Sequence, residues 1–428
     1  MSFAEIVGHE QPIEILRRAV AEDRVATAYL LVGPPNIGKS MLAIEFAKAV
    51  NCERRAAGAE VAAVDACDQC HNCIRIGQEN HPDLLILRPA VSVDVRARGA
   101  EELRKEYEEA GEQEREAEDE ADQARERRGK RKVYIELPDA LIDTDRMQHV
   151  VEYSYAKRAV ARRKFVIVVS AEAMNAEAAS RLLKTLEEPP PDTTFVLTTA
   201  RLDKLLPTTV SRCQMVRCHA LSRDALRAAL AQGFPNTDAG LLDAVVAMAS
   251  GRYGRARRLI DAPALVALRA ELLDLAAATF DANLVECLAM GERLTAMPSA
   301  WWEACEEAEA SAVGSADEQA MRLEALEVLF KRSPDRIARI QMREILDVLQ
   351  TWYRDLTLLR AAPGSELVIN ADRHDQLAAM APGYSPEGLV WASAVIEEAR
   401  RELTVHNANL RLACQVLMVK LIAARRRR

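Results

Sequence analysis

Aromatic residues make up only 4% of this 428-residue chain. Its cores must therefore be built from aliphatic side chains, and the abundant Ala, Leu, Glu and Arg lean helical. Long apolar runs are missing too: none approaches the ~20 residues needed to span a bilayer. The start, Met1-Ser2-Phe3-Ala4-Glu5, lacks the basic end and apolar core of a secretory leader. The expectation is a cytoplasmic protein with no membrane role. Excess positive charge is also absent. Lys and Arg number 57 against 65 Asp and Glu, a net −8, which argues against a wholly basic nucleic-acid coat but leaves room for a local basic surface. The last absence is local. An apolar strand predicted over Phe165-Val166-Ile167-Val168-Val169 runs into Ser170-Ala171, with no carboxylate at its tip. A phosphate-loop ATPase needs an acid there to help hold Mg²⁺ and prepare the attacking water.

What is present upstream is a complete phosphate-binding loop, Gly33-Pro34-Pro35-Asn36-Ile37-Gly38-Lys39-Ser40. It follows a short apolar strand, Ala28 to Val32, and precedes a helical stretch from Met41, the context the motif requires. Backbone N–H groups of such a turn cradle phosphate oxygens, and the helix adds its positive N-terminal end. Lys39 can neutralise β- and γ-phosphates, and Ser40 can hold Mg²⁺. ATP with Mg²⁺ is therefore a possible ligand, in a chain built to hold a nucleotide and poorly built to split one. Glu172 is the nearest acid to the bare tip. In an extended strand it would share the face of Ser170, ~6–7 Å further along; the plainer expectation is a solvent-exposed acid at a helix start.

Nine cysteines in a cytoplasmic chain suggest metal ligands or buried thiols. Cys52, Cys67, Cys70 and Cys73 follow C-x14-C-x2-C-x2-C. Four thiolates so spaced can close a tetrahedron around Zn²⁺ with no open position, a structural site. Cys213, Cys218, Cys287, Cys305 and Cys414 are scattered and expected to be buried thiols.

Alternating strands and helices to about residue 218 imply an α/β domain with a parallel sheet covered on both faces. A helix is expected from Val150 to Val160, and another from Ala176 to Glu188 with Asn175 as cap. The stretch 93–132 interrupts this pattern as a charged insertion. Between 101 and 132 lie thirteen acids and nine bases. It cannot form a core and reads as a solvated helical hairpin. Residues 219–262 give two or three short helices. Residues 263–428 are helical patterning broken by Pro298, Pro334, Pro363-Gly364 and Pro382-Gly383, a separate all-helical domain. The ending Arg425-Arg426-Arg427-Arg428 reads as a solvated tail.

Several stretches together carry a resemblance. Ile6-Val7-Gly8-His9-Glu10, Ala28-Tyr29-Leu30, the phosphate loop, the four-cysteine module and His81-Pro82-Asp83 occur in that order. Leu182-Leu183-Lys184-Thr185-Leu186-Glu187-Glu188-Pro189-Pro190 and Ser211-Arg212-Cys213 follow. The chain resembles bacterial DNA polymerase III clamp-loader subunits, well over residues 1–260 and weakly beyond, where Asn407 to Leu412 resembles the last helix. It is more similar to the delta-prime type than to the gamma/tau motor type, which carries acids where this chain has Val169 and Ser170. The resemblance implies an AAA+ fold: an α/β nucleotide domain (1–218), a helical lid (219–262) and a helical collar (263–428). It implies a non-motor subunit of a hetero-pentameric ring with gamma/tau and delta subunits, acting on the sliding clamp and primer–template DNA. Arg212 would be an arginine finger given in trans to a neighbour's ATP. Thr198 matches a sensor threonine, with Thr199 equally placed, and Arg255 a lid sensor arginine crowded by Arg252, Arg257 and Arg258. Many delta-prime chains carry a degraded phosphate loop, whereas this one is intact. The alternatives are an active gamma/tau-like ATPase and a zinc-stabilised nucleotide-binding adaptor outside replication. Polymerase activity is not expected of this chain, since no carboxylate-bearing strand pair suited to two-metal chemistry is present.

Overall fold

The computed structural model describes residues 2–426 apart from 56–59, 97–129, 138–139, 311–324, 327, 330, 366, 405 and 407. The strands are β1 (Ala28–Val32), β2 (Leu84–Leu87), β3 (Ala90–Arg96), β4 (Lys130–Glu136), β5 (Lys164–Val168), β6 (Thr193–Thr199) and β7 (Gln214–Arg217). Five of them form one parallel sheet in the order β2-β5-β6-β1-β7. Its helices are α1 (Glu10–Ala21), α2 (Lys39–Asn51), α3 (His71–Gly77), α4 (Thr144–Tyr155), α5 (Ala176–Glu187) and α6 (Pro207–Ser211).

Every residue of β5 and β6 is buried, the Lys and Thr at their ends included, as expected of central strands when both sheet faces are covered. Alternation sorts the side chains. Tyr29, Leu31, Phe165 and Ile167 pack with Leu16, Leu42 and Phe46 from α1 and α2. Leu30, Val166, Val168 and Leu197 pack with Met147, Leu182 and Leu186 from α4 and α5. The result is an α/β layer, a parallel sheet with helices on both faces.

The helix expected over Val150 to Val160 lies earlier. Asp143 caps α4 by accepting from Arg146 N at 2.8 Å, and the helix ends at Tyr155. Beyond it the buried Asp83 carboxylate accepts from Ala159, Val160 and Ala161 N at 2.7, 2.7 and 2.8 Å, so these N–H groups are not free to continue a helix. The ends of the charged insertion are strands, not helices: β3 and β4 pair antiparallel from Ala90↔Glu136 to Arg96↔Lys130. The expected helical hairpin between them lies outside the described residues. At the base of this ribbon, Val93, Ile135 and Leu137 cluster with Trp302, Leu326, Leu329 and Ile337 of the C-terminal helices.

After β7 the described residues are helical: α7 (Arg223–Gly233), α8 (Ala239–Ala249), α9 (Tyr253–Asp261), α10 (Pro263–Ala278), α11 (Leu284–Ala310), α12 (Pro334–Ala361), α13 (His374–Met380), α14 (Pro386–Thr404) and α15 (Leu410–Arg426). One apolar cluster runs through all of them, from Leu226 to Ala424. Pro298 does not break the pattern, because α11 continues through it; Pro334 opens α12 at a position where its missing N–H costs nothing. Arg425 is not a solvated tail residue. It lies 3.7 Å over the Phe280 ring and pairs with Asp281 at 2.7 Å; Arg427 and Arg428 lie outside the described residues. No helix among the described residues is long and apolar enough to cross a membrane.

Candidate nucleotide and metal sites

The phosphate loop leaves β1 at the carboxyl edge of the sheet. Gly33 N donates to Thr199 O at 3.1 Å, which ties the loop to the end of β6. A side chain at Gly33 would place its Cβ 2.3 Å from Cys218 O, so only glycine allows this approach. Asn36 and Gly38 adopt left-handed backbone, with φ of 60° and 99°, and curl the loop over the start of α2. Lys39 opens that helix and is buried; its Nζ donates to Gly33 O at 2.7 Å and Pro34 O at 2.6 Å. Burial pulls the Lys39 ammonium below the usual lysine range, and the nearby Cys218 and Glu172 oppose this.

Three braces of the loop were not predicted from the sequence. His9 is 2% exposed, and its Nε2 lies 2.8 Å from Ile37 O. To bond a carbonyl this nitrogen must carry the proton. Gly254 N, in the first turn of α9, donates to Asn36 O at 2.9 Å, and Arg258 Nη2 reaches Asn36 Oδ1 at 3.5 Å. Arg255, the expected sensor, points elsewhere, toward Glu344 of α12 at 3.9 Å. Helical periodicity bears on the difference: Gly254 and Arg258, four apart, lie within about 40° of each other around α9, whereas Arg255 is turned about 100° from Gly254. Only contact with the loop could reveal which face meets it.

Thr198 and Thr199 divide the work at the tip of β6. Thr198 Oγ1 accepts from Ser170 N at 3.0 Å and fixes the end of β5. Thr199 presents its carbonyl to Gly33, while its hydroxyl accepts from Arg201 N at 3.0 Å.

The carboxylate expected in solvent at Glu172 is half-buried instead. Ser170 takes left-handed backbone, φ 51°, and the chain winds into a single 3₁₀ turn, Ala171–Ala173. The extended geometry assumed from sequence is therefore wrong here. Glu172 folds back so that Oε1 accepts from Ala200 N at 3.0 Å.

The four cysteines come together. All four Sγ atoms lie within 4.8 Å of one another, and those of Cys67 and Cys73 are 4.0 Å apart. Sulfurs at ~2.3 Å from a tetrahedral Zn²⁺ stand roughly 3.8 Å apart, so the set fits the ion with small adjustments. Cys70 N and Cys73 N donate to Cys67 Sγ and Cys70 Sγ at 3.3 and 3.4 Å, which favours thiolates. Burial pushes the Cys67 thiol up, but the Gln69 and Cys70 N–H groups and neighbouring thiols outweigh it and bring it to about 6. Cys52 caps the C-terminus of α2 and Cys70 the N-terminus of α3. The helix that begins at Lys39 thus ends at one of the four clustered thiols. Buried Lys48 of α2 pairs with Glu45 at 2.8 Å and with Asp68 inside the cysteine loop. Among the other thiols, Cys218, Cys287 and Cys414 are buried, whereas Cys213 and Cys305 are only partly so.

Arg212 lies at the opposite, amino end of the sheet, beside the start of β1. It precedes β7, and β7 runs parallel to β1 with Tyr29 beside Gln214 and Val32 beside Arg217. The length of β1, ~13 Å at about 3.3 Å per residue, separates Arg212 from its own phosphate loop. Its Nη2 meets Glu187 Oε1 at 2.6 Å and its Nη1 donates to Thr208 O at 2.9 Å. The guanidinium is half-exposed and held in one orientation.

The family described as DNA polymerase III, delta subunit, matches residues 8–222. Among curated relatives, the DNA polymerase III subunit delta' of Pseudomonas aeruginosa is 30% identical over 55% of this chain and 56% of its own. That of Bacillus subtilis is 28% identical over 50% and 48%. The DNA polymerase III subunit tau of Bacillus subtilis is 24% identical over 87% of this chain and 53% of its own. The chain thus spans about half the length of these curated relatives. Since the family match covers half of the sequence and includes the phosphate loop, the cysteine module and Arg212, the chain belongs to the DNA polymerase III delta-subunit family.

Proposed function

We propose that this chain is a non-motor subunit of the replicative sliding-clamp loader, of the delta-prime type. It supports ATP-dependent loading of the clamp at primer–template DNA and gives Arg212 to the ATP site of a neighbouring subunit. One observation carries the reading. Arg212 stands at the amino end of the sheet, away from the carboxyl end that carries its own phosphate loop, half-exposed and oriented by Glu187 and Thr208. A guanidinium so placed cannot serve its own nucleotide, and it is suited to stabilise charge on a phosphoryl group held by another chain.

Residues 1–218 would form the nucleotide domain, 219–262 its lid and 263–428 the collar that joins gamma/tau and delta subunits in a hetero-pentameric ring. Zn²⁺ on Cys52, Cys67, Cys70 and Cys73 would be structural. ATP with Mg²⁺ would sit on residues 33–40, with Thr198 at the strand tip and the first turns of α9 above; the chain would bind ATP without splitting it. It would work in the cytoplasm.

The intact loop and the tau relative that aligns over most of the chain favour a second reading, a gamma/tau-like ATPase. The experiment is DNA- and clamp-stimulated ATP hydrolysis by the reconstituted loader, wild type against Arg212→Ala, beside the isolated chain. The expected result is a silent isolated chain and an assembly slowed ~10-fold or more. Turnover by the isolated chain, with an assembly indifferent to Arg212→Ala, would overturn the proposal in favour of the motor reading.

A further inference from the structure

We propose that Glu172 supplies the carboxylate for the divalent cation of a nucleoside triphosphate on this loop, replacing the acid missing from the tip of β5. This rests on the nucleotide-holding reading above.

The placement comes from a chain of contacts. Ser170 N is held by Thr198 Oγ1, and the left-handed turn at Ser170 throws the next residues sideways instead of onward along the strand. Glu172 Oε1 is then fixed by Ala200 N, the residue after Thr199, whose carbonyl holds Gly33. The carboxylate is thus bonded to the strand end that anchors the phosphate loop. Lys39 lies close enough to feel its charge.

The second observation is the other oxygen. Glu172 Oε2 is shut off from solvent and has no hydrogen-bond partner. An enclosed, unpartnered carboxylate oxygen is costly to maintain and calls for an explanation such as an ion. Mg²⁺ bound to nucleotides takes one or two protein oxygens, completing its octahedron with phosphate and water. Ser40, the neighbour of Lys39, is the second such oxygen on this loop. Oε1 is already occupied by Ala200 N, which leaves a single free oxygen. One acid so engaged can hold a cation, but no second strand-tip acid stands beside it to orient water. The arrangement favours holding over hydrolysis.

The test is binding of a fluorescent, non-hydrolysable ATP analogue to the full chain, with Mg²⁺ and in magnesium-free buffer without chelator. Wild type, Glu172→Gln and Lys39→Ala are compared, and Mn²⁺ replaces Mg²⁺ for electron paramagnetic resonance. Gln keeps the acceptor for Ala200 N, and circular dichroism checks the fold. Mg²⁺ should tighten wild-type binding, and Glu172→Gln should reduce that tightening at least about tenfold, the worth of one charged ligand. Its magnesium-free binding should be unchanged and its bound Mn²⁺ signal lost. Wild-type Mg²⁺ dependence retained in Glu172→Gln would overturn the role of Glu172 and leave the nucleotide reading standing. Absence of binding by wild type, or binding that survives Lys39→Ala, would overturn the nucleotide reading and this inference with it.

Discussion

Replacing Asp83 by Asn should loosen the segment between α4 and β5 by about 1.5 kcal/mol. Asp83 is 2% exposed and closes the His81-Pro82-Asp83 turn, where its own N–H donates to His81 Nδ1 at 3.0 Å. Its carboxylate gathers three backbone N–H groups, and the changes at each differ. Ala159 and Val160 are exposed and can turn to water, whereas Ala161 is buried. One oxygen, Oδ1, holds only Ala159, while Oδ2 holds Val160 and Ala161. Asn can therefore keep its oxygen on Val160 and Ala161 and turn its NH₂ toward Ala159, whose N–H goes to water. Losing the charge on the two retained bonds and the bond to Ala159 costs about 1.5 kcal/mol. At about 1.4 kcal/mol per factor of ten, amide hydrogen exchange at residues 159–161 should speed by roughly one order of magnitude. The pH dependence has a definite sign. Burial pushes the Asp83 carboxyl up, but the three N–H groups outweigh it and hold it below the usual carboxylate range. A depressed folded value means that the stabilisation is complete above the unfolded value of about 3.9 and is lost as pH falls through the folded one. The gap between wild type and variant should therefore shrink below about pH 4. Exchange at 159–161 that changes less than about threefold at pH 7 would overturn this account of Asp83.

Two further outcomes follow from the same geometry. The purified chain should carry one Zn²⁺ by elemental analysis. Cys73→Ser should lose it and melt about 5 °C or more lower, since metal binding contributes directly to folding; a variant that keeps both metal and melting temperature would place the ion elsewhere. Gly254→Val should separate α9 from the phosphate loop. A Cβ at Gly254 already lies 3.1 Å from Asn36 O, and overpacking of this kind costs about 1–3 kcal/mol. Affinity for a fluorescent ATP analogue should fall about tenfold, and unchanged affinity would mean that this contact does not shape the site.

Much of the candidate site was legible because its signals are local. The phosphate loop needs glycine where a backbone packs against Cys218 O and where φ is positive, and those demands are written into consecutive residues. The cysteine spacing likewise allowed a closed tetrahedron before any contact was known. Long-range choices left weaker traces. His9 reaches Ile37 across 28 residues; its stretch, Ile6 to Glu10, stands out in the sequence, but nothing local says what its side chain meets. Arg252, Arg255, Arg257 and Arg258 are chemically alike, so only the packing of α9 selects Arg258 for the loop. The ends of the charged insertion read as polar from composition, yet pairing across 33 intervening residues makes them strands.

By itself the sequence determined the strand–loop–helix unit at residues 28–51, the four thiols able to hold Zn²⁺, and the want of an acid at the tip of β5. Each follows from residue chemistry at short separation. Tertiary structure decided two things. It set Arg212 and the phosphate loop at opposite ends of two neighbouring strands, because β1 and β7 run parallel. It also brought Glu172 back to Ala200, because a left-handed turn at Ser170 replaced the straight strand that residue counting assumes. A carboxylate's position depends on where the backbone turns, and this turn is fixed by Thr198 from a strand 28 residues away.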